Sequence, residues 1–573
     1  MGRRDWIEAL IYRRHLGAGG LSRPDSAKDA AARLRRLLLR EPLTLVTGLG
    51  VITVLIVFVL LPIVAVVTYP PFTDYLTLPE NGRWVRAALN TGRMVVLSTT
   101  TATLVGFIYA VVISRPELRG RKVLRLIATL PLFSPPFTLG FSYLLMYGRF
   151  GLISHDVLGF ESSILGWKSL WAVQTLTHFP FAALAIERAL AATPARLEAA
   201  ARNLGASGFE VFRTITLPLV RPAIAGAALL IATYVLADFA NPLVIGGDFP
   251  LLATEAWYRI DGWGDMRGAT VLAASLLPPA LCFFVAERFW VSRRKYTVIS
   301  GRGSAFERLP LPQPLMWTLI TVCVFVAAII LSLYFGIVAG AFTETWGVDW
   351  TLTLDQWSVV LSKTDHLRHS LLYAATAGLA ATMLAMLAAF LVDQRAIPFH
   401  RVVDFVCVLP AAVPGVFIGI GYLLFFGRAG IPFAGTATLM VLAFTFANLP
   451  FSYQVVRGGL AQIDQNLADA AANLGASRLR ILWDVHLRLL LPTCVAAWTA
   501  TFISCITNLS IAIFLVTSGT QVATFSILGL IGDNRLEAAS ALTTALLAIT
   551  LVVVTITWRV SRSTGLVSVV VDA

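Results

Sequence analysis

Apolar residues recur along this chain in runs of about 20, the length a helix rising 1.5 Å per residue needs to cross roughly 30 Å of hydrocarbon. Twelve such runs are predicted as membrane-spanning helices: Leu43 to Val67, Met94 to Ile113, Leu126 to Tyr147, Ser169 to Ile186, Ala223 to Ile245, Gly268 to Ala286, Leu315 to Ala339, Ser370 to Val392, Phe405 to Phe426, Thr436 to Val456, Leu489 to Val516 and Ala538 to Thr557. The fold class this predicts is an all-α polytopic membrane protein. Pro131, Pro135 and Pro136 in the third run, and Pro410 and Pro414 in the ninth, remove backbone donors and predict kinks there. Gly415, Gly419 and Gly421 permit close helix approach.

Composition agrees. With 57% hydrophobic and only 13% charged residues among 573, and a mean hydropathy of +0.77, a bilayer is the one place these side chains can be buried. With the amino terminus in the cytoplasm, about three quarters of the 45 Lys and Arg residues fall on the inner side, so both termini are expected to be cytoplasmic. The net charge of +13 is thereby a topology signal rather than a nucleic-acid surface. Residues 1–42 read as a basic, retained cytoplasmic leader with Arg33, Arg35 and Arg36 on an amphipathic helix. Cys282, Cys323, Cys407, Cys494 and Cys505 all lie in spans without metal-ligand spacing, which assigns them to packing.

The chain repeats itself. Leu197 to Ser207 returns 270 residues later as Leu467 to Ser477, and from Leu197 to Leu217 nine of 21 positions agree: Leu197, Ala200, Ala201, Asn203, Leu204, Gly205, Ala206, Ser207 and Leu217. Leu130 to Pro136 with Gly140, Tyr143 and Gly148 to Gly151 matches Leu409 to Gly415 with Gly419, Tyr422 and Gly427 to Gly430 at an offset of 279. The nine-residue excess belongs to the outside loop around Leu152 to Gly166. Two six-span modules follow, 43–310 and 311–573, and an even number of spans per half makes the repeat parallel.

The polar repeat sits between the fourth and fifth spans of each half, in segments 193–218 and 463–488. Thr193 and Pro194 open a short helix whose apolar side is Leu197, Ala200, Ala201 and Leu204. Gly205 stops it, and Ser207 restarts a second helix with Glu210 at capping-box spacing. In the second half Asp464 opens the unit, Gly475 and Ser477 repeat the turn, and Arg480 replaces the glutamate. Phe209 and Phe212, matched by Leu479 and Leu482, give the restarted helix an apolar face.

Helix, glycine, helix, followed by Ile215-Thr-Leu-Pro218, resembles the cytoplasmic EAA loop of type I (MetI-like) ATP-binding-cassette importer permeases. The resemblance covers both six-span halves and leaves out the leader. It implies a coupling helix in each half, docked on one of two copies of a separate ATPase subunit, whose closure on ATP drives alternating access. Carried over, the docking residues are Ala199, Ala200, Gly205, Ala206 and Ser207, and Asp469, Ala470, Gly475, Ala476 and Ser477. The family's acidic first position falls on Asp469 but on Ala199 in the first half, where Glu198 is displaced by one. Leu487-Arg488 stands where the first half has Leu217-Pro218. No Gly-Lys-Ser/Thr occurs, so the chain is expected to be no enzyme, with no cofactor of its own; ATP and Mg belong to the partner ATPase.

Inside the fifth span, Asp238 lies in Leu236 to Gly247 beside Asn241, and the offset of 270 puts Asn508 at the same place. About 15 residues, or roughly 22 Å, above the cytoplasmic end, a carboxylate cannot face lipid. It is expected either to line the pathway or outer gate or to bond neighbouring helices. Neither half has a catalytic or metal-binding constellation. A single chain with both modules and the stretch Asn241 to Gly247 is similar to ferric-iron permeases, while similar fused permeases serve thiamine, 2-aminoethylphosphonate and sugar phosphates. The resemblance implies a periplasmic or extracellular substrate-binding protein as partner and a bacterial inner-membrane location. A secondary transporter of two six-span halves shares the repeat but calls for ionisable coupling residues, and Asp238 stands almost alone.

Overall fold

In hydrocarbon a peptide group finds its partners within its own helix, so each apolar run folds as one. The computed structural model describes residues 42–76, 78–159, 165–193, 195–291, 311–394, 397, 399–427, 433 and 435–563, and the expected leader helix lies outside them. Among the described residues nine single helices are long and apolar enough to cross a membrane, and two bent pairs pass the same test together. The remaining expected span, the fourth, forms the 25-residue helix Trp167–Ala191. Lys168, Gln174, His178, Glu187 and Arg188 make it too polar to qualify on composition, and it packs inside its half against the second and fifth spans.

The proline-bearing spans do more than kink. Arg121–Phe133 meets Thr138–Val157 at 106°, and His400–Ala412 meets Gly415–Phe426 at 111°, so each third span of a half is two limbs rather than one rod. The fifth and eleventh spans also differ from the expected runs. They begin within the elbows, as Gly208–Ala237 and Arg478–Ile506, and break before short continuations at Ala240–Ile245 and Ala512–Leu515.

The two modules exchange their opening helices. Pro62 in the first span has no N–H for the Phe58 carbonyl one turn earlier, and the Tyr422 hydroxyl of the second half donates to that oxygen at 2.7 Å. Phe58 stacks on Phe426 and Phe446, with ring centroids 5.4 and 5.0 Å away. Gly421 allows the approach, since a Cβ there would lie 2.8 Å from the Pro62 carbonyl oxygen. Reciprocally, the seventh span, Gln313–Gly340, lies on the first half: Tyr109 donates to the Cys323 carbonyl at 2.6 Å and Ser134 shares a 2.7 Å bond with Tyr334.

On the side away from the elbows, each half adds a helix that the apolar pattern does not predict, Leu252–Asp261 and Ala523–Gly532. Their first amides donate to Thr91 Oγ1 at 3.0 Å and to Ser370 Oγ at 2.8 Å. Asn90 and His369, one residue earlier, bond the carbonyls of Pro250 and Gln521. The four side chains keep the 279 offset and the backbone groups they meet lie 271 apart, so the same cap is built twice. A hairpin of Thr343–Thr345 with Asp349–Leu352 supplies the strands found among the described residues. Trp346 at its turn donates to the Leu145 carbonyl of the first half at 2.8 Å.

Gly106 marks a close contact of the second and fourth spans, where a Cβ would lie 2.5 Å from that of Ala182 and 2.7 Å from the Phe179 carbonyl oxygen. Gly106→Val is expected to cost about 1–3 kcal/mol through overpacking. Gly92, with nothing within 4 Å and inside the same helix, should accept Ala with no loss and a gain of about 0.5–1 kcal/mol. Thermal unfolding of the purified chains, followed by tryptophan fluorescence, distinguishes them.

Candidate functional site

The two polar repeats form the same object. Ala195–Asn203 and Gln465–Asn473 are followed by glycines in the left-handed region, Gly205 and Gly475, both at φ 85°. Ala206 N–H donates to the Ala201 carbonyl and Ala476 N–H to that of Ala471, each at 3.1 Å, the six-to-one bond of a Schellman cap. Ser207 and Ser477 then accept from the amides of Glu210 and Arg480, at 3.3 and 3.4 Å, and the chain turns into the next helix. Asp464 caps the second unit by accepting from Asn466 N–H, whereas the Thr193 hydroxyl donates backward to the Ala189 carbonyl.

The turn throws one leucine outward in each copy. Leu204 is 88% exposed and Leu474 is 89% exposed. Of the expected docking residues, Ala200, Gly205, Ser207, Asp469, Ala470, Gly475 and Ser477 are exposed, and Ala199, Ala206 and Ala476 are partly so. Glu198 is buried and accepts from Thr216 Oγ1 at 3.1 Å, tying the first elbow to the root of the fifth span. At the corresponding place in the second half stand Ala468 and His486, both buried.

From each elbow a helix of 30 or 29 residues runs without interruption to a break. Such a rod, which includes a π-helical turn at Phe212–Thr216 or Leu482–His486, is roughly 45 Å long. Asp238 closes the first rod. Its Oδ2 accepts from Gln174 Nε2 at 2.9 Å and Asn241 Nδ2 at 3.1 Å, and its Oδ1 from Asn241 N–H at 3.3 Å. Ser98 donates to Gln174 Oε1 at 2.8 Å, extending the network to the second span. Asn508 closes the second rod by accepting from Ile511 N–H at 3.0 Å, one residue pair in register with Asp238 and Asn241. Asp238, Asn241 and Asn508 are therefore brought to matching breaks, with the carboxylate turned toward its neighbours' donors.

Immediately beyond Asp238, Phe239 meets the other half. Its ring centroid lies 6.2 Å from that of Phe514 and 6.5 Å from that of Trp257, and Trp257 lies 5.4 Å from Phe514. Phe514 fits because Gly419 has no side chain, a Cβ there falling 2.7 Å from the Phe514 ring. The sequence pattern does not single out these aromatics. Trp257 stands among charged residues that read as an outside loop, and only the adjacency of Phe239 to Asp238 points to the place. Among the described residues no cluster of three or more His, Cys, Asp or Glu side chains is placed to hold a metal ion.

Comparison with known proteins places this geometry. Residues 102–295 and 381–561 each match the family model described as binding-protein-dependent transport system inner membrane component. The chain is similar to a ferric transport system permease protein of Actinobacillus pleuropneumoniae, 28% identical over 525 residues that cover 88% of this chain and 76% of the relative. It is also similar to a putative ferric transport system permease protein of Haemophilus influenzae, 30% identical over 433 residues that cover 74% and 68% of the two chains. A putative 2-aminoethylphosphonate transport system permease protein of Salmonella paratyphi A is 27% identical over 225 residues, 37% of this chain and 85% of the relative.

Asp238→Leu would leave the Gln174 and Asn241 side-chain donors unpaired, at about 1–3 kcal/mol for each buried group. Asp238→Asn keeps one acceptor and should cost less. Asn508→Ala removes a bond to a single amide and should cost about 1 kcal/mol. The order of melting temperatures in detergent, Asn508→Ala above Asp238→Leu, checks the assignment.

Proposed function

Because the chain belongs to the family of binding-protein-dependent transport system inner membrane components, carrying both modules of an ATP-binding-cassette importer permease, we propose that it imports ferric iron under the drive of two separate ATPase subunits. The elbows face the cytoplasm, and each receives one ATPase copy, which holds the ATP and Mg. A periplasmic binding protein delivers the cargo at the opposite face. This chain catalyses no bond-breaking step and supplies the pathway and its gate.

The observation that carries the reading is the duplicated elbow, with identical turn geometry and an almost fully exposed leucine at the tip of each copy. Water is a poor environment for such a side chain, and an apolar pocket on a partner is a good one. ATPase closure displaces the elbow. The rod carries that displacement to the break at Asp238 or Asn508, where Phe239, Trp257 and Phe514 form the contact between halves. Separation of those rings opens a route that is closed by apolar contact in the present state. The Asp238 network, on this reading, fixes where Phe239 points rather than binding cargo.

Iron is favoured because relatives named for ferric transport match across both halves, whereas the 2-aminoethylphosphonate relative matches over 37% of the chain. Reconstitution in vesicles with an ATPase and an iron-loaded binding protein should give radioiron uptake and iron-stimulated ATP hydrolysis. Stimulation by 2-aminoethylphosphonate or thiamine with its binding protein, and none by iron, would reassign the cargo and leave the machine intact.

Leu204→Asp together with Leu474→Asp should weaken ATPase association about 100-fold or more while the purified chain keeps its melting temperature. Either single variant should leave one contact and an intermediate affinity. Gly205→Ala, forced to φ 85°, should strain the turn by about 1–2 kcal/mol and lower coupling without abolishing binding. Titration calorimetry or co-purification with the ATPase measures all three; unchanged association in the double variant rejects the docking role.

A further inference from the structure

Arg288 ends the sixth span, Met266–Phe289, on the elbow side, because the fifth span leaves the elbow and the sixth returns. Its Nη2 donates to Asp404 Oδ2 at 2.7 Å. Asp404 belongs to the first limb of the ninth span, in the other half. Its second oxygen accepts from Tyr453 Oη at 2.8 Å and from Arg457 Nη1. Arg457 lies near the end of the tenth span, Ala437–Leu460, which leads directly into the second elbow at Gln465. One carboxylate thus holds together the last span of the first module and the helix that feeds the second module's elbow. With side-chain exposures of 28% for Arg288 and 16% for Asp404, the bridge is shielded from full solvent screening.

The matching corner of the molecule is built differently. The 279 offset puts Arg125 where Asp404 stands, and the 270 offset puts Glu187 where Arg457 stands. These two pair within the first module at 3.4 Å with the charges reversed. At the place of Arg288 the second module has Trp558, followed by the exposed Arg559, and a cation there would meet Arg125 rather than a carboxylate. Among the described residues the ion bridge between modules is therefore present at one inner corner and has no counterpart at the other.

We propose that Arg288, Asp404 and Arg457 form a one-sided latch on the inner mouth, and that the two corners open unequally, the latched one last. This goes beyond the assignment of the chain as an importer permease. Rotation of the modules that opens the inner side separates the sixth span from the ninth, so the Arg288 to Asp404 bond must break. The Arg125 to Glu187 pair, inside one module, stays whole. Removing the bond lowers the cost of each opening of that corner, so the permease cycles and ATP is hydrolysed without waiting for the binding protein.

The test compares full-length chains in lipid nanodiscs, with and without the ATPase. Arg288→Gln and Asp404→Asn should each raise ATP hydrolysis in the absence of binding protein about fivefold or more. Arg125→Gln, which breaks a pair within one module, should not. The triple variant Arg288→Glu, Asp404→Arg, Arg457→Glu rebuilds the bridge with reversed charges and should return hydrolysis toward the starting level. A merely structural role would lower the melting temperature in all of these without the rise and without rescue. In the chain alone, spin labels at Val285→Cys and Val402→Cys, with Cys282→Ser, should show a longer and broader distance distribution after Arg288→Gln. Superimposable distributions, or an equal rise in hydrolysis for Arg125→Gln, overturn the latch. If no ATPase joins the unmodified chain, the importer reading fails, and the label distances still decide the latch.

Discussion

The constraint from which the architecture follows is that a peptide group in hydrocarbon must be bonded and has no water to turn to. Uninterrupted helices meet it automatically. Every interruption must meet it by another bond, and in this protein side chains supply several of them. Asp238 and Asn508 each accept from an amide three residues on, where a rod stops and the chain resumes. Thr91 and Ser370 take the first amides of the two half-length helices, and Tyr422 fills the carbonyl that Pro62 leaves open. The Thr91, Ser370 and Tyr422 repairs join spans or halves, so there the cost of breaking a helix is met by the contact that assembles the molecule.

Two-fold likeness and local difference coexist for a physical reason. On the proposed docking the elbows present the same turn to the same kind of partner, and they agree down to the backbone angle at Gly205 and Gly475. The polar interior has no such obligation. Gln174, which joins Ser98 to Asp238 in the first half, corresponds to Phe444 in the second, and Asn508 is satisfied within its own turn. A buried carboxylate with three donors is thus a property of one half. The ion pairs next to the elbows are likewise conserved as pairs and inverted in sign.

How much of this can be read from the residues depends on the range of the forces involved. Gly205 followed by Ser207 is a local grammar of backbone angle and capping, and it predicts the turn, though not the opening of the unit, where the Thr193 hydroxyl bonds the Ala189 carbonyl instead of capping the next helix. The prolines at 131, 135, 136, 410 and 414 mark the bent spans, though not that the bends reach 106° and 111°. The fourth span is found from its length but is more polar than its neighbours, because its surroundings are protein rather than lipid. The exchange of opening helices, the meeting of Phe239 with Phe514, and the bridge from Arg288 to Asp404 depend on partners more than 100 residues apart. No periodicity encodes them. The inward turn of Glu198 onto Thr216 is of the same kind, since a helical repeat shows which face a residue occupies and not which face another element covers.

The exchanged opening helices also set the order of events during synthesis. Phe58 and the tyrosine whose hydroxyl completes its turn are separated by 364 positions. At ribosomal speeds of about 5–20 residues per second, the leading helix waits roughly 20–70 s in the bilayer before its partner emerges. During that interval its proline-weakened turn, with the Phe58 carbonyl uncapped, faces lipid or the insertion machinery. The nascent first half is consequently an unfinished object however well its own spans fold, and the polypeptide link to the second half supplies the missing surface at a guaranteed one-to-one ratio.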